Sequence, residues 1–323
     1  METNSKLENA AKTALLQCMD LKKNESCLII TDKNKLDIGT AFYEQAKLIT
    51  DSVKIIEIPE LKVNGAEPEL EVAEEMLKYA VIMIPTTKSM SHTNTRRKAV
   101  ENGARIASMP GITEDMAIRC LNADYIKIRE RSRKLADLMT AASSVHITSP
   151  KGTDINMDLK DLKCSGADAG IFDKPGKWGN LPEGEACMGP REGTTNGVFI
   201  VDLTMAGVGR VETPIKITVK EGFAVSIEGG KEADKLRELL KSMDDKRVYT
   251  IAEIGIGTND KAIITGNTLE DEKVMGTAHI ALGNNISYDG GTTDAPIHLD
   301  GVFDKPTIFI DGKMIIEDGI FLI

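Results

Sequence analysis

Two of the chain's four histidines lie near its C-terminus, His279 in GTAHIALG and His298 in HLDG, with Asp300 two positions beyond the second. Imidazole is the commonest metal ligand at neutral pH. An apolar-flanked His-x-Asp is also what a strand offers when alternate side chains point the same way. Upstream, Glu253 stands between apolar neighbours in IAEIGIGTN, where a carboxylate is costly to bury unless it is paired or coordinates a cation. Earlier still, KWGNLPEGEACMGPREGTTNG is a long Gly-, Pro- and Glu-rich loop carrying Glu183 and Glu185, and loops of that length commonly line sites. Singly, these residues have ordinary explanations as a core histidine, an ion-pair glutamate or a turn aspartate before Gly301. Together they supply two imidazoles and up to three carboxylates within one region, which points to a metal site.

The elements that must position these residues change character along the chain. The first part alternates helical and strand signals: SCLIITD, VKIIEIP, YAVIMIPTT and RIASMPG are short apolar runs separated by amphipathic segments. That alternation predicts βαβ units and a doubly wound parallel sheet. No GxGxxG follows the first strand, so the usual dinucleotide phosphate loop is missing. After the helical stretch YIKIRERSRKLADLMTAAS, short β-branched runs divided by Gly, Asp and Asn predict a mainly antiparallel, β-rich domain with one helix, KEADKLRELLKSM. The expected fold is therefore α/β plus α+β, with an α/β domain over 1–142 and a metal-binding catalytic domain over 143–323.

Composition narrows the function class. The 323 residues exceed the size at which one hydrophobic core usually stops growing, which agrees with two domains. A formal charge of −10 disfavours nucleic acid and anionic membranes as partners. No apolar run is long enough for a membrane helix, and the N-terminus lacks the pattern of a signal peptide. Five cysteines without a CxxC pair suggest free thiols in the cytoplasm, and Cys120 and Cys187 read as buried and inert.

The stretches NLPEGE, AEIGIGTN, GTAHIALG and HLDG, in that order, resemble the motifs of the aminopeptidase T and aminopeptidase S family of metalloexopeptidases, which has short relatives among the dihydroxypyridine dioxygenases. The resemblance implies that Glu185, Glu253, His279, His298 and Asp300 ligate a pair of divalent metals, and that the protein is a homodimer. It also implies a tyrosine near the first histidine, for which Tyr288 is the candidate. Two cations would activate a water and polarise a peptide carbonyl, with zinc, cobalt or manganese suiting the ligand set. The main expectation is accordingly a hydrolase, a metal-dependent aminopeptidase acting on small peptides. In the alternative, the similarity to the dioxygenases implies one ferrous ion held by His279, His298 and Asp300, with a small N-heterocycle as substrate and the glutamates as supporting groups. A noncatalytic binding protein that has kept the fold is a third possibility.

The first domain adds His92 in SMSHTNTRRKAVENGA, beyond the apolar strand, as a candidate acid or base on substrate. Arg96 and Arg97 are either substrate-carboxylate guides or a solvated helix face. His146 reads as structural.

Overall fold

The computed structural model describes residues 2–165 and 169–323, and contacts divide the chain into two compact units. The first consists of Met1–Arg129 and Gly170–Glu183. Its apolar runs form β1 (Cys27–Asp32), β2 (Val53–Ile58), β3 (Val81–Thr86) and β4 (Arg105–Pro110). They lie parallel in the order β2-β1-β3-β4, and the returning segment adds a short fifth strand, β7 (Trp178–Asn180), beside β4. Every residue of β1 and β3 is buried, as expected of strands covered by helices on both faces. Leu28, Ile30, Ile82 and Ile84 pack with Val72, Met76 and Ala99 on one face. On the other, Gly39 lets the helix Leu36–Lys47 come so near the strand that an added Cβ would lie 2.8 Å from Thr31.

The second unit, Glu130–Ala169 and Gly184–Ile323, holds two antiparallel sheets. The larger contains β5 (Ser144–Thr148), β6 (Asp154–Asp158), β9 (Asn196–Val201), β12 (Ile215–Lys220) and β13 (Phe223–Glu228). It is completed by β17 (Thr307–Ile310), β18 (Lys313–Glu317) and β19 (Ile320–Phe321), in the order β13-β12-β9-β6-β5-β17-β18-β19. The smaller contains β8 (Glu185–Met188), β10 (Thr204–Met205), β11 (Gly209–Arg210), β14 (Ile251–Gly257), β15 (Thr277–Gly283) and β16 (His298–Asp304). Its order is β11-β10-β16-β15-β14-β8. The parallel sheet and the β-rich second region are thus those the sequence pattern predicts. Phe199, Ile217 and Ile308 of the larger sheet share a core with Ile254, Ile280 and Phe303 of the smaller, joined by Leu236 and Leu240 of the helix Lys231–Ser242.

Among the described residues, no helix is long and apolar enough to cross a membrane.

Phe303 is fully buried in the core shared by the two sheets. Phe303→Ala is expected to remove roughly 3–5 kcal/mol of stability through lost contacts and a residual cavity, read as a lower midpoint in denaturant unfolding.

Candidate metal centre

The smaller sheet brings the sequence-predicted ligands together through its register. Glu253 pairs with Ala281, which pairs with Asp300; Gly255 pairs with His279; Gly283 pairs with His298; and Gly257 pairs with Glu185. Side chains alternate along a strand, and directly paired residues share a face. All five candidate ligands therefore project from one face, while Ile254, Ile256, Ile280, Leu282, Leu299 and Phe303 fill the core on the other. Small residues make room between them. A Cβ on Gly255 would lie 2.1 Å from Nε2 of His279, so the imidazole occupies space that any side chain at position 255 would take. The IGIG run has its explanation in that approach.

Two overlapping groups result, Glu185–Glu253–His279 and Glu253–His298–Asp300, each with ligand atoms within 4.8 Å of one another. His298 Nε2 lies 2.8 Å from Glu253 Oε2 and 3.3 Å from Asp300 Oδ1. His279 Nε2 lies 3.3 Å from Glu185 Oε2 and 3.5 Å from Glu253 Oε1. Glu253 and His279 are almost wholly shielded from water, at 3% and 1% exposure, whereas His298 and Asp300 are half-buried. His298 Nδ1 donates to the carbonyl of Asn284 at 2.7 Å, which leaves Nε2 facing the carboxylates. A metal-binding histidine is commonly oriented through its second nitrogen in this way.

The charges support one another. Burial pushes His279 down, but the Glu253 carboxylate and the charges of Glu185 and Asp300 outweigh it, raising the imidazole to about 9. His298 is likewise lowered by burial and raised more strongly by Asp300 and Glu253, ending well above its ordinary value. Burial pushes Glu253 upward, yet the two imidazoles hold it well below the usual carboxylate range. Without a metal, the face is therefore a set of carboxylates and imidazolium ions, an arrangement a divalent cation can replace by displacing protons.

Tyr288 reaches the same group. Its Oη donates to Glu253 Oε2 at 2.6 Å, and its ring lies 6.1 Å from that of His298. Burial and the Glu253 charge push the phenol well above its ordinary value, so it stays a proton donor. Cys187 sits opposite Gly255 on the same face, and burial, followed by the charges of Glu185 and Glu253, keeps it a neutral thiol. His92 belongs to the first unit, exposed before the helix Asn94–Glu101, with its ring edge-on to Trp178 at 6.3 Å. Thr93 caps that helix by accepting from Arg96 N. Arg96 is buried and stacks 3.6 Å from the Trp178 ring centroid, whereas Arg97 is exposed. His146 Nε2 lies 2.8 Å from Asp154 Oδ1 in the larger sheet.

Sequence reading passed over three supporting residues. Asn284 orients His298 through its carbonyl, a role any residue type could fill. Glu192 accepts from Asn285 Nδ2 at 2.7 Å and from the backbone and hydroxyl groups of Thr292 and Thr293, fastening the loop that carries Tyr288. Burial raises Glu192, but these donors prevail and lower it to about 2. Lys273 is buried with Nζ 2.6 Å from Glu185 Oε1; only its place in an EDEK charge run, which reads as surface, was visible.

The residues fit a divalent cation: nitrogen and oxygen donors converge without thiolate, His298 is oriented from behind, and Gly255 leaves a cradle for His279. Comparison with known proteins supplies the family context. The sequence profile of the NicX family, described as 2,5-dihydroxypyridine 5,6-dioxygenase, matches residues 7–323. A 2,5-dihydroxypyridine 5,6-dioxygenase of Pseudomonas putida KT2440 is 27% identical over 265 residues, covering 77% of this chain and 73% of the relative. The solved structure of a 2,5-dihydroxypyridine dioxygenase from Pseudomonas putida KT2440 superposes with a TM-score of 0.82 at 21% identity, over 99% of this chain and 97% of the other. Wild-type AmpT from Thermus thermophilus shares the fold with a TM-score of 0.71 at 17% identity, over 99% of both chains.

The family match overturns the main expectation from sequence: the hydrolase reading, with its aminopeptidase and protease assignments, gives way to the dioxygenase alternative. The physical reason is that both chemistries use imidazole and carboxylate donors on the same scaffold, so the ligand motifs do not distinguish them.

Gly255→Ala is expected to displace the His279 ring and weaken binding of Mn(II) by roughly 10–100-fold, the range found when the surroundings of a ligand are disturbed; titration calorimetry measures it. Calorimetry in buffers of different ionisation enthalpy should also show proton release on metal binding at pH 7. Both imidazoles are protonated below their raised values, so affinity is expected to fall as pH falls, by roughly tenfold per pH unit for each proton displaced.

Proposed function

Because the chain belongs to the 2,5-dihydroxypyridine 5,6-dioxygenase family, we propose that it is an iron-dependent ring-cleaving dioxygenase whose substrate is a dihydroxylated N-heterocycle of the dihydroxypyridine class. The observation that carries the reading is the coincidence of that family match with two imidazoles and an aspartate on one sheet face. In this proposal His279, His298 and Asp300 hold one ferrous ion, a donor set that leaves positions open for other ligands. The ion would supply the redox chemistry that couples dioxygen to opening of the ring.

The remaining groups manage substrate protons. Glu253, a carboxylate lying beside both ion-holding imidazoles, is suited to accept the proton of a ring hydroxyl. Tyr288, a neutral phenol whose one O–H donates to Glu253, is suited to turn that donor to a substrate oxygen gaining negative charge once Glu253 has taken up a proton. The apolar core behind β14 and β15 holds the face rigid while these exchanges occur. His92 follows β3 at the carboxyl side of the parallel sheet and is retained as a second proton-transfer candidate. The five free cysteines suit the reducing cytoplasm, and the aminopeptidase T resemblance favours a homodimer.

Protein reconstituted anaerobically with Fe(II) is expected to consume oxygen when given 2,5-dihydroxypyridine. His298→Ala should lose both bound iron and turnover, by at least roughly 100-fold, because a direct ligand is removed. An iron-loaded wild type that leaves the heterocycle intact and takes up no oxygen would defeat the assignment.

A further inference from the structure

The two ligand groups share Glu253, an arrangement that in principle accepts two adjacent cations bridged by one carboxylate. What sets the number is the surroundings of Glu185. Lys273, at 3% exposure, places Nζ 2.6 Å from Glu185 Oε1 and 2.7 Å from Glu272 Oε1. A buried ammonium needs close carboxylate partners, so Glu185 Oε1 is already engaged, while Glu185 Oε2 faces His279 Nε2 at 3.3 Å.

The lysine is also built in. Its backbone N donates to the carbonyl of Glu270 at 2.9 Å, and its carbonyl accepts from Asn259 N at 2.9 Å. Beside it the chain presses on β14 at Gly257, where an added Cβ would lie 2.1 Å from the carbonyl of Val274. The ammonium thus stands on the Glu185 side of the cluster, away from a surface where it could swing aside. A dication taking Glu185 Oε2 as ligand would share that carboxylate with the ammonium on Oε1 and meet like-charge repulsion in a site largely withdrawn from water.

We propose that Lys273 stands in for a second cation: it neutralises Glu185, confines the centre to one divalent ion, and so determines that the fold here carries one-metal chemistry. The assignment of that single ion to His279, His298 and Asp300 rests on the proposed function; the charge substitution at Glu185 is a property of this chain's own residues.

Metal stoichiometry tests it without reference to turnover. Full-length protein dialysed against Zn(II) or Co(II) and analysed by elemental mass spectrometry should hold one ion per chain, and Lys273→Met should hold two. Glu185→Gln, whose side-chain oxygen can still accept from Lys273, should still hold one ion per chain at saturating metal, because the residues that hold that ion in the proposed function are His279, His298 and Asp300. Two ions in the wild type, one ion in folded Lys273→Met, or loss of the ion in Glu185→Gln would each overturn the proposal. If Lys273→Met does not fold, the wild-type and Glu185→Gln results still decide. Oxygen uptake on the heterocycle with two ions bound would sink this inference and leave the proposed function standing; one ion bound without ring opening would do the reverse.

Discussion

The carboxylate of Glu253 lies between two imidazoles and beneath a phenol, at a depth where an isolated anion would be driven to neutrality. Much of the centre can be understood as the means of keeping that charge. His279 and His298 bring positive charge within hydrogen-bonding or ion-pair distance, Tyr288 supplies a donor, and Asp300 and Glu185 in turn hold the imidazoles protonated when no metal is bound. Removal of one partner would leave the others as uncompensated charges in a poorly solvated place, which is why the group behaves as a unit.

A two-faced sheet makes such crowding possible. The strands β14, β15 and β16 give one face wholly to the hydrophobic core and the other to the polar cluster, so the same alternation that secures the fold aims the ligands. Glycine and alanine between the ligands are part of this division: the site face is small where the core face is large. The loop bearing Tyr288 has no such sheet support and is held by the Glu192 hydrogen bonds, a polar clasp replacing apolar packing.

The fold is shared with a dioxygenase and with AmpT, and a fold by itself does not name a reaction. Imidazole and carboxylate serve a Lewis acid that activates water and a redox ion that handles oxygen equally well. Under the proposal made for Lys273, the number of cations is set by the charges around the ligands, those of neighbours such as Lys273 and Glu272.

The amino-acid sequence by itself determined the parallel sheet of the first unit, because buried strands covered on both sides must be continuous apolar runs such as CLIITD and VIMIPT. It also determined that acids and histidines stand in strand-like settings, and the alternation of HLD places His298 and Asp300 on one face without further information. Tertiary structure alone decided which face of β14 meets which face of β15, since pairing register joins residues far apart in the chain and leaves no local periodicity behind. The same holds for the return of Trp178–Asn180 to the first sheet and for the contact of Tyr288 with Glu253. It holds most clearly for Lys273: its neighbours in sequence are those of a solvated charge run, and only folding sets its ammonium against a buried glutamate.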